Sequence, residues 1–326
     1  MDEKLLEIVN QFDCCVKNTY RGRGGIVCNT NKGLMILKEF HSSAGKLIDE
    51  YELKKQLIEQ NFTFVDQHIK TKKGTFFAED RYHTIFVMKQ CYEGKECDIR
   101  SKEDIRVIGF NLANFHQTAR KVTVSERLKQ QYTPLEQVLD KRTKELKRAK
   151  LHMETSMKKG EFEYLYLKSF PVFFEQAKKA FDVYKDIVNQ EHLQIGICHG
   201  AYNQHHVIRT EYGIATINFE HFCYQNQLFD LHQILRKVME KNEYDWEYGR
   251  ELLKGYEELL PLSQEEYHCL YALLQYPDKY FKIANHYNSK RKAFISPKDV
   301  EKLEDVIDQN KKKEQFLQEF ENKYLI

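Results

Sequence analysis

The side chains best suited to chemistry lie in one stretch of this 326-residue chain, Ile197 to Arg236. An apolar run ending at His199 and a second run from Ile214 to Phe219 enclose a polar loop, and a helix with one apolar face follows them. The stretch carries imidazole, amide and carboxylate groups at His199, Asn203, His206, Asn218, Glu220 and Asp230. On a loop between two strands, such groups suit proton transfer and cation binding.

One interpretation of this stretch is a zinc site, because imidazole and thiolate groups suit Zn²⁺ better than Mg²⁺. The groups in question are Cys198, His199, His205, His206, His221 and Cys223. No HxxxH or CxxC spacing occurs among them, which argues against a metal centre. In the ordinary alternative, His199 bonds backbone groups and the other side chains line a groove or the core.

The order and spacing of the stretch also resemble a phosphotransferase motif. In the aminoglycoside and choline kinase-like phosphotransferases the pattern is His-Gly-Asp-x-x-x-x-Asn, then Ile-Asp-Phe-Asp, and later Asp-Leu-x-x-x-x-Arg. This chain keeps the frame at His199, Gly200, Asn203, Gln204, Asp230, Leu231 and Arg236. The resemblance implies transfer of a phosphoryl group from ATP, with Mg²⁺ or Mn²⁺ as a further cofactor.

Three groups that this chemistry needs are replaced. Ala201 stands where the family has its general base, His206 where it has a metal-binding Asn, and Asn218 where it has the metal-binding Asp. Loss of a positioned base costs about 10²- to 10⁴-fold in rate, or roughly 3 to 5.5 kcal/mol. Glu220 follows Asn218 by two residues, so in a strand it would share its face and offer a carboxylate to a metal. The pattern favours a pseudoenzyme, and an active phosphotransferase with Glu220 and His206 in a remodelled metal site is the alternative.

Asp230 has a structural interpretation. In the resembled kinases the Asp of Asp-Leu ties down the catalytic loop. We therefore expect the Asp230 carboxylate to be buried against backbone N–H groups or an Arg.

The elements that must position this loop begin with a sheet. The pattern predicts a short helix to about Phe12 and a helix from about Ala44 to Glu59. Strands are predicted near Ile26 to Cys28, Leu34 to Phe40, Thr63 to Ile69, Thr75 to Glu79 and His83 to Met88. A lobe boundary is placed at Tyr92 to Gly94, where a kinase has its hinge.

Residues in this first part match the nucleotide-binding groups of a kinase. Gly22, Gly24 and Gly25 can bring backbone N–H groups close to phosphate, or form a plain turn. Lys38 in the second strand and Glu50 in the following helix are expected to pair, as they do in kinases, where the lysine holds the α- and β-phosphates. The alternative is an exposed strand lysine and a solvated helix face.

The hinge itself supplies two further residues. Gln90 and Tyr92 stand where kinase backbone groups hold the adenine edge. They complete the predicted nucleotide-binding set.

From Lys102 onward the pattern is helical. Helices are predicted from Lys102, over Leu135 to Lys159, over Phe170 to Asn189 and in a charged tail from Asp299 to Lys323. The tail is expected to be either a docking helix or a cover on the lower lobe.

Composition excludes several classes. The chain has 51 Lys and Arg against 49 Asp and Glu, a net charge of +2 that gives no reason to expect nucleic acid as a partner. No apolar run approaches the ~20 residues that span a bilayer, and the first ten residues lack a secretory pattern, so a cytoplasmic protein is expected. The eight cysteines show no CxxC spacing and are expected to be mostly buried free thiols.

Three longer segments resemble the CotS family of spore-coat proteins. They are residues 21–40 (RGRGGIVCNTNKGLMILKEF), 230–246 (DLHQILRKVMEKNEYDW) and 276–294 (YPDKYFKIANHYNSKRKAF). The resemblance implies an α+β, two-lobe, protein-kinase-like fold, with a small sheet lobe over 1–92 and a larger, mostly helical lobe over 93–326. It also implies synthesis in the mother-cell cytoplasm, then a place in the spore coat with other coat proteins as partners. The favoured function is a catalytically inactive, kinase-like coat component.

Overall fold

The N-terminal part of the chain forms an antiparallel sheet in the computed structural model, which describes residues 3–22, 24–187, 192–289 and 296–326. Its strands lie in the order β1-β2-β3-β5-β4. Their bounds are β1 Val16–Gly22, β2 Gly25–Thr30, β3 Gly33–Glu39, β4 Ala78–Glu79 and β5 Ile85–Gln90. Arg23 and residues 290–294, which belong to the segments quoted above, lie outside the described residues, as do 188 and 189 at the end of one predicted helix.

Two helices pack on this sheet. Residues of α1 (Glu3–Val9) pack with Met35 and Leu37 of β3 in one buried cluster. α2 (Ala44–Glu59) has the bounds predicted for it, and the Ser43 side chain caps its first turn. The apolar face of α2 joins the main core of the helical part through Leu53 and Leu57. The sheet is therefore tied through α2 to everything that follows.

The strand prediction for Thr63 to Ile69 is wrong. This segment makes two isolated bridges, from Val65 to Thr216 and from His68 to Lys89. The two bridges pair the segment with two different parts of the chain, so it forms no continuous β-ladder with either of them. Conversely, β1 was not predicted, since its residues are largely exposed on both faces and lack an alternating apolar pattern.

Helices dominate the rest of the chain, as predicted. Their bounds are α3 Lys102–Ala119, α4 Glu126–Lys129, α5 Leu135–Thr155, α6 Glu161–Ile187, α7 Leu228–Lys241, α8 Trp246–Glu257, α9 Gln264–Gln275, α10 Asp278–Ser289 and α11 Pro297–Tyr324. α6 begins well before the predicted start at Phe170. Pro171 is typical of a first helical turn, but here it lies inside the helix.

Helices α3 and α8 cross with their backbones close together. A Cβ atom on Gly109 would lie 2.2 Å from the carbonyl oxygen of Leu252, and one on Gly255 would lie 2.1 Å from that of Arg106. One glycine on each helix therefore lets the two backbones touch.

Two small sheets carry the loop region. β7 (Ile195–Cys198) pairs with β10 (Cys223–Asn226), while β8 (Val207–Arg209) lies between β6 (Lys95–Glu96) and β9 (Ile214–Thr216). The polar loop after β7, residues 199–206, therefore connects one of these small sheets to the other.

The charged tail belongs to the core. Helix α11 buries Leu303, Phe316 and Phe320, and the Trp246 ring lies 5.8 Å from that of Phe316. The tail is thus a packed part of the helical lobe. None of the described helices has both the length and the apolar character needed to cross a membrane.

Candidate functional site

The loop after β7 is held by the carboxylate of Asp230. His199 N–H donates to Oδ2 of Asp230 at 2.6 Å, and Gly200 N–H donates to Oδ1 at 2.9 Å. Asp230 is fully buried in the first turn of α7, so one side chain fixes the loop to the helix. Gly200 has a φ of +77°, and a Cβ atom there would lie 1.9 Å from the carbonyl oxygen of His221. A side chain at this position is therefore excluded.

Both ring nitrogens of His199 form hydrogen bonds with backbone groups. Its Nε2 donates to the carbonyl oxygen of Ile217 at 2.9 Å, and Ala201 N–H donates to its Nδ1 at 3.4 Å. Burial lowers the pKa of His199, which matches a neutral ring. The ring therefore joins the loop to the end of β9.

Ala201 and His206 face each other across the loop. The carbonyl oxygen of Ala201 accepts from His206 Nδ1 at 2.9 Å and from the Asn203 side chain at 2.8 Å. His206 Nδ1 also lies 3.2 Å from Asn203 Nδ2, so both side chains meet at the Ala201 carbonyl group. Burial lowers the pKa of His206 to about 4.

Asn218 bonds to the sheet lobe. Its Oδ1 accepts from Lys38 Nζ at 2.7 Å, and its N–H donates to Oδ2 of Asp66 at 3.0 Å. Asn218 has left-handed backbone angles (φ 65°, ψ 55°), which Asn tolerates better than most residues. It precedes a short 3-10 helix, Phe219–His221.

The expectation that Glu220 shares a strand face with Asn218 is wrong. β9 ends at Thr216, and Glu220 lies on the 3-10 helix. Its Oε1 lies 3.4 Å from Lys89 Nζ. The alternating geometry of a strand does not apply after β9, so a metal site built on that geometry loses its basis.

The expected pairing of Lys38 with Glu50 is also wrong. Glu50 Oε1 accepts from Lys89 Nζ at 2.8 Å and from Lys54 Nζ at 2.6 Å. Lys89 lies on β5, beside β3, and its ammonium takes the place next to the α2 carboxylate that the family pattern gives to the β3 lysine. Lys38 bonds to Asn218 instead.

Lys54, Asp66, Lys89 and Glu50 form a buried group, here called the four-charge cluster. Lys54 bridges Glu50 and Asp66, with 2.7 Å from its Nζ to Asp66 Oδ1. Each of the four side chains is at most 3% exposed. Burial alone raises the pKa of Glu50, but the Lys54 and Lys89 ammonium groups outweigh it and hold that pKa well below its usual range. The cluster therefore has two positive and two negative charges.

Sequence reasoning missed three members of this cluster. Lys89 ends an apolar strand, IFVMKQ, where a lysine ordinarily marks the strand's exit to solvent. Lys54 follows Glu50 by one helical turn, a spacing that was available as a signal. Asp66 gave no signal, since its segment was misassigned as a strand.

The backbone geometry of the β1–β2 hairpin explains why its residues include three glycines. Gly24 has a φ of +73° in the turn. A Cβ atom on Gly25 would lie 2.7 Å from the carbonyl oxygen of Leu37 and 2.8 Å from Cγ of Lys38. Gly22, the last residue of β1, pairs with Gly25. The glycines thus allow β2 to approach β3 where the Lys38 side chain leaves it.

The two predicted hinge residues are held to the neighbouring segment. Gln90 N–H donates to the carbonyl oxygen of Gln67 at 2.7 Å. Tyr92 OH donates to that of Val65 at 3.0 Å, and its ring lies 6.2 Å from that of Phe64. Burial raises the pKa of Tyr92 to about 12. Both residues therefore contact the segment between α2 and β4.

The residues at the metal positions do not fit Mg²⁺ or Mn²⁺. Mg²⁺ requires oxygen ligands in near-octahedral geometry, usually with carboxylates among them. Ala201 has no side-chain oxygen, the Asn218 oxygen accepts from an ammonium, and His206 offers nitrogen. Glu220 offers a carboxylate, but it faces Lys89.

A zinc site is not supported either. Among the described residues, one group of three His, Cys or acidic side chains has ligand atoms within 4.8 Å of one another: His116, Cys198 and Asp230. All three are buried, and Asp230 is already used by the loop. Cys198 alone comes from the predicted zinc set.

A small antiparallel sheet, a helical lobe and this loop between them define the aminoglycoside-phosphotransferase class of kinase-like fold. The chain is similar to an aminoglycoside phosphotransferase from Alicyclobacillus acidocaldarius, with a TM-score of 0.83, 18% identity and coverage of 98% of this chain and 96% of that one. It is also similar to an amicoumacin kinase solved with AMP-PNP and Ca²⁺ (TM-score 0.64, 12% identity, coverage 97% and 94%). A third neighbour is a spectinomycin phosphotransferase solved with ADP and spectinomycin (TM-score 0.63, 12% identity, coverage 92% of this chain and 94% of that one).

The chain belongs to the family described as "Spore coat putative kinase YutH", which matches residues 6–320. No curated protein matches it. The predicted two-lobe α+β fold and the predicted kinase-like spore-coat relationship are thus confirmed.

Replacing Lys89 with Met tests the four-charge cluster. The change leaves an unbalanced carboxylate in the interior, so Lys89→Met is expected to lower the free energy of unfolding by about 3 to 5 kcal/mol in urea denaturation. Adding Glu50→Gln restores the charge balance and should recover part of the loss. Lys55→Met, at an exposed position of α2, is the matched control and should stay within about 0.5 kcal/mol. A cost for Lys89→Met no larger than this control contradicts the cluster.

Acid should destabilise the protein through His68, which contacts the same cluster. Burial lowers the pKa of His68 to about 3, so the folded state keeps the ring neutral while the unfolded chain binds a proton below about pH 6.5. Stability from this group is complete above pH 6.5 and is lost as the pH falls toward 3. The slope is about 1.4 kcal/mol per pH unit. Urea denaturation at pH 4.5 to 7.5 should show a shallower slope for His68→Phe than for wild type, and parallel slopes contradict the assignment.

Proposed function

We propose that this chain is a pseudokinase, a kinase-like protein without phosphoryl transfer, which serves as a structural or assembly component of the endospore coat. The observation that carries the proposal is the 2.7 Å bond between Lys38 Nζ and Asn218 Oδ1. In a phosphotransferase of this class, a lysine contacts the phosphates and an aspartate holds the metal. Here the side chains at those two positions bond to each other.

The position of the general base supports the same function. The methyl group of Ala201 cannot accept a proton. Nearby His206 is a poor substitute, because burial lowers its pKa to about 4. A general base works best with a pKa near the working pH, and this imidazole gives little driving force for removing a hydroxyl proton at neutral pH.

The alternative is an active ATP-dependent phosphotransferase in which Glu220 and His206 hold a remodelled metal site. Two observations weigh against it. The Glu220 carboxylate faces the Lys89 ammonium at 3.4 Å, and the Asn218 oxygen is taken by Lys38. A divalent cation would have to enter between two ammonium groups, which repel it.

A role in the coat follows from the family. A kinase-like scaffold without turnover can still act through contacts, since function lies in the surfaces built on a fold. We infer synthesis in the mother-cell cytoplasm, incorporation into the coat, and other coat proteins as partners. Membership of a spore-coat family is what supports this placement.

Restoring the family residues tests the loss of activity. The full-length wild-type chain is expected to show no Mg²⁺- or Mn²⁺-dependent phosphate release from ATP. The triple variant Ala201→Asp, His206→Asn, Asn218→Asp regains oxygen ligands and a carboxylate base. It should acquire metal-dependent stabilisation by ATP, of roughly 2.7 kcal/mol at about 100 times the dissociation constant, measured by thermal shift.

The matched control for this experiment carries Ala201→Asn in the same background, which keeps the size of the side chain but supplies no base. Its metal-dependent stabilisation should equal that of the triple variant, while any phosphate release should be lower. Metal-dependent phosphate release by the wild-type chain would sink the pseudokinase proposal.

Spores test the role in assembly. Deleting the gene for this chain should change the set of proteins extracted from the coat. Expressing the Glu220→Gln variant in that strain should restore the set as fully as the wild-type protein does. Gln keeps a hydrogen-bonding oxygen near Lys89 but removes the carboxylate that an active metal site needs. Tyr212→Ala, in the exposed β8–β9 turn, is the neutral control. Failure of Glu220→Gln at normal protein levels would instead favour the enzyme.

A further inference from the structure

A groove of about 900 Å³ runs along the helical lobe where α6, α9 and α11 meet. Its α6 residues recur every three or four positions, from Val172 through Gln176, Lys179 and Val183 to Asp186. At 1.5 Å per residue, this stripe is about 21 Å long. The residues of the loop after β7 do not line the groove, so it is separate from the candidate site described above.

The lining of the groove is largely apolar, and part of it is open to solvent. The Val172 side chain is 51% exposed, whereas Tyr271 and Leu317, which also line the groove, are buried. Gln176 Nε2 donates to Asn310 Oδ1 at 2.8 Å, and this bond ties α6 to α11 across the groove. A preformed apolar groove between two helices is the kind of surface that receives an amphipathic helix.

The charge along the groove is negative. Five carboxylates line it against one ammonium, that of Lys179, although the whole chain has a net charge of +2. The carboxylates belong to Glu175, Asp182, Asp186, Glu314 and Glu321. Glu175 pairs with Lys178 at 2.6 Å, whereas none of the other four forms a salt bridge within the described ranges. Four carboxylates are therefore available to a cationic partner.

One buried acceptor in the groove has no donor. Gln176 is 6% exposed, and its Oε1 atom accepts no hydrogen bond from any residue that the structure describes. Its Nε2 donates to Asn310 and Glu314, so turning the amide over would break both bonds. A buried acceptor without a donor is costly, and a partner that brings N–H groups lowers this cost. Lysine and arginine side chains bring such groups.

We propose that this groove binds a basic amphipathic helix of a partner protein. The apolar side chains of that helix contact Val172 and its apolar neighbours, and its Lys or Arg side chains pair with Asp182, Asp186, Glu314 and Glu321. A helix of about 14 residues matches the length of the α6 stripe. That the partner is a coat protein rests on the proposed role in coat assembly, and the inference deepens this role by giving it a surface and a chemistry.

Fluorescence anisotropy with a labelled synthetic peptide tests the groove on the full-length chain. The probe is a helix of about 14 residues with leucine on one face and lysine on the other. It should bind, and binding should weaken as salt is added, because exposed ion pairs are screened. A peptide with glutamate in place of every lysine should bind at least about tenfold more weakly. No binding of the lysine peptide, or equal binding of the two peptides, overturns the inference.

Charge reversal locates the binding surface. The double change Asp182→Lys, Asp186→Lys should weaken binding of the lysine peptide by about tenfold or more, since repulsion replaces attraction. The double change Glu52→Lys, Glu211→Lys alters the net charge equally at exposed positions on α2 and in the β8–β9 turn, and should bind as wild type does. Val172→Ser removes apolar contact and should weaken binding by about threefold.

Equal binding of the lysine peptide by the two double variants would reveal only non-specific attraction and would overturn the inference. Unfolding midpoints of all variants, measured without peptide, separate lost binding from lost folding. A second copy of this chain is the competing occupant of the groove. In analytical ultracentrifugation both double variants should sediment as wild type does. Self-association of wild type that only the Asp182→Lys, Asp186→Lys variant loses would assign the groove to another copy, against the inference.

Spores test whether the partner is a coat protein. In the gene-deletion strain, the Asp182→Lys, Asp186→Lys variant at normal protein levels should fail to restore the set of extracted coat proteins, while Glu52→Lys, Glu211→Lys restores it. Restoration by both variants contradicts a coat protein as the partner. An unchanged coat after gene deletion, or metal-dependent phosphate release by wild type, would instead count against the proposed function and leave the peptide results standing.

Discussion

The pairing of Glu50 with Lys89 determines the state of the cleft. Two ammonium groups and two carboxylates are buried together, and such a group is stable only while its charges balance and its geometry is good. Lys89 and Lys54 both contact Oε1 of Glu50, so this carboxylate pairs with them and not with Lys38. Lys38 therefore reaches across the cleft to Asn218. The pairing of Lys89, and not Lys38, with Glu50 thus affects the contacts of Glu50 on α2 and of Asn218 after β9.

The loop after β7 keeps the frame of the phosphotransferase motif, although Ala201, His206 and Asn218 replace three of its groups. Asp230 accepts two backbone N–H groups, and His199 bonds backbone groups with both ring nitrogens. These contacts hold the loop whether or not a base follows Gly200. They depend on burial and hydrogen bonding, which stabilise the fold directly, whereas a base and a metal ligand stabilise only a transition state. Folding alone is therefore enough to retain the motif's outline.

Local sequence patterns predicted most of the helices and several strands, the two-lobe fold was implied by the family resemblance, and the non-local contacts were predicted poorly. The bounds of α2, the strand-loop-strand unit around His199 and the helical second part follow from periodicity and capping residues within a few positions of each other. That Lys89 and not Lys38 pairs with Glu50 could not be predicted in this way. The two lysines are far apart in sequence but lie on neighbouring strands, so the folded structure decides which of them reaches Glu50. The predicted strand position of Asn218 was wrong for a related reason. The strand ends before Asn218, which has left-handed backbone angles that the local sequence pattern does not predict.

If the proposed pseudokinase function holds, loss of catalysis and gain of internal stability are the same change in this protein. An aspartate in place of Asn218 would add a negative charge beside Asp66, whose carboxylate accepts the N–H of that same residue. A divalent metal or the Lys38 ammonium, which lies 2.7 Å from the Asn218 oxygen, would have to offset this repulsion. Asn218 removes the repulsion without a metal, keeps an oxygen for Lys38, and suits the left-handed conformation at its position. Active sites generally sacrifice stability for function, and a site released from that demand can settle into the more stable arrangement. The bond between Lys38 and Asn218 is what such a settled arrangement looks like in this fold.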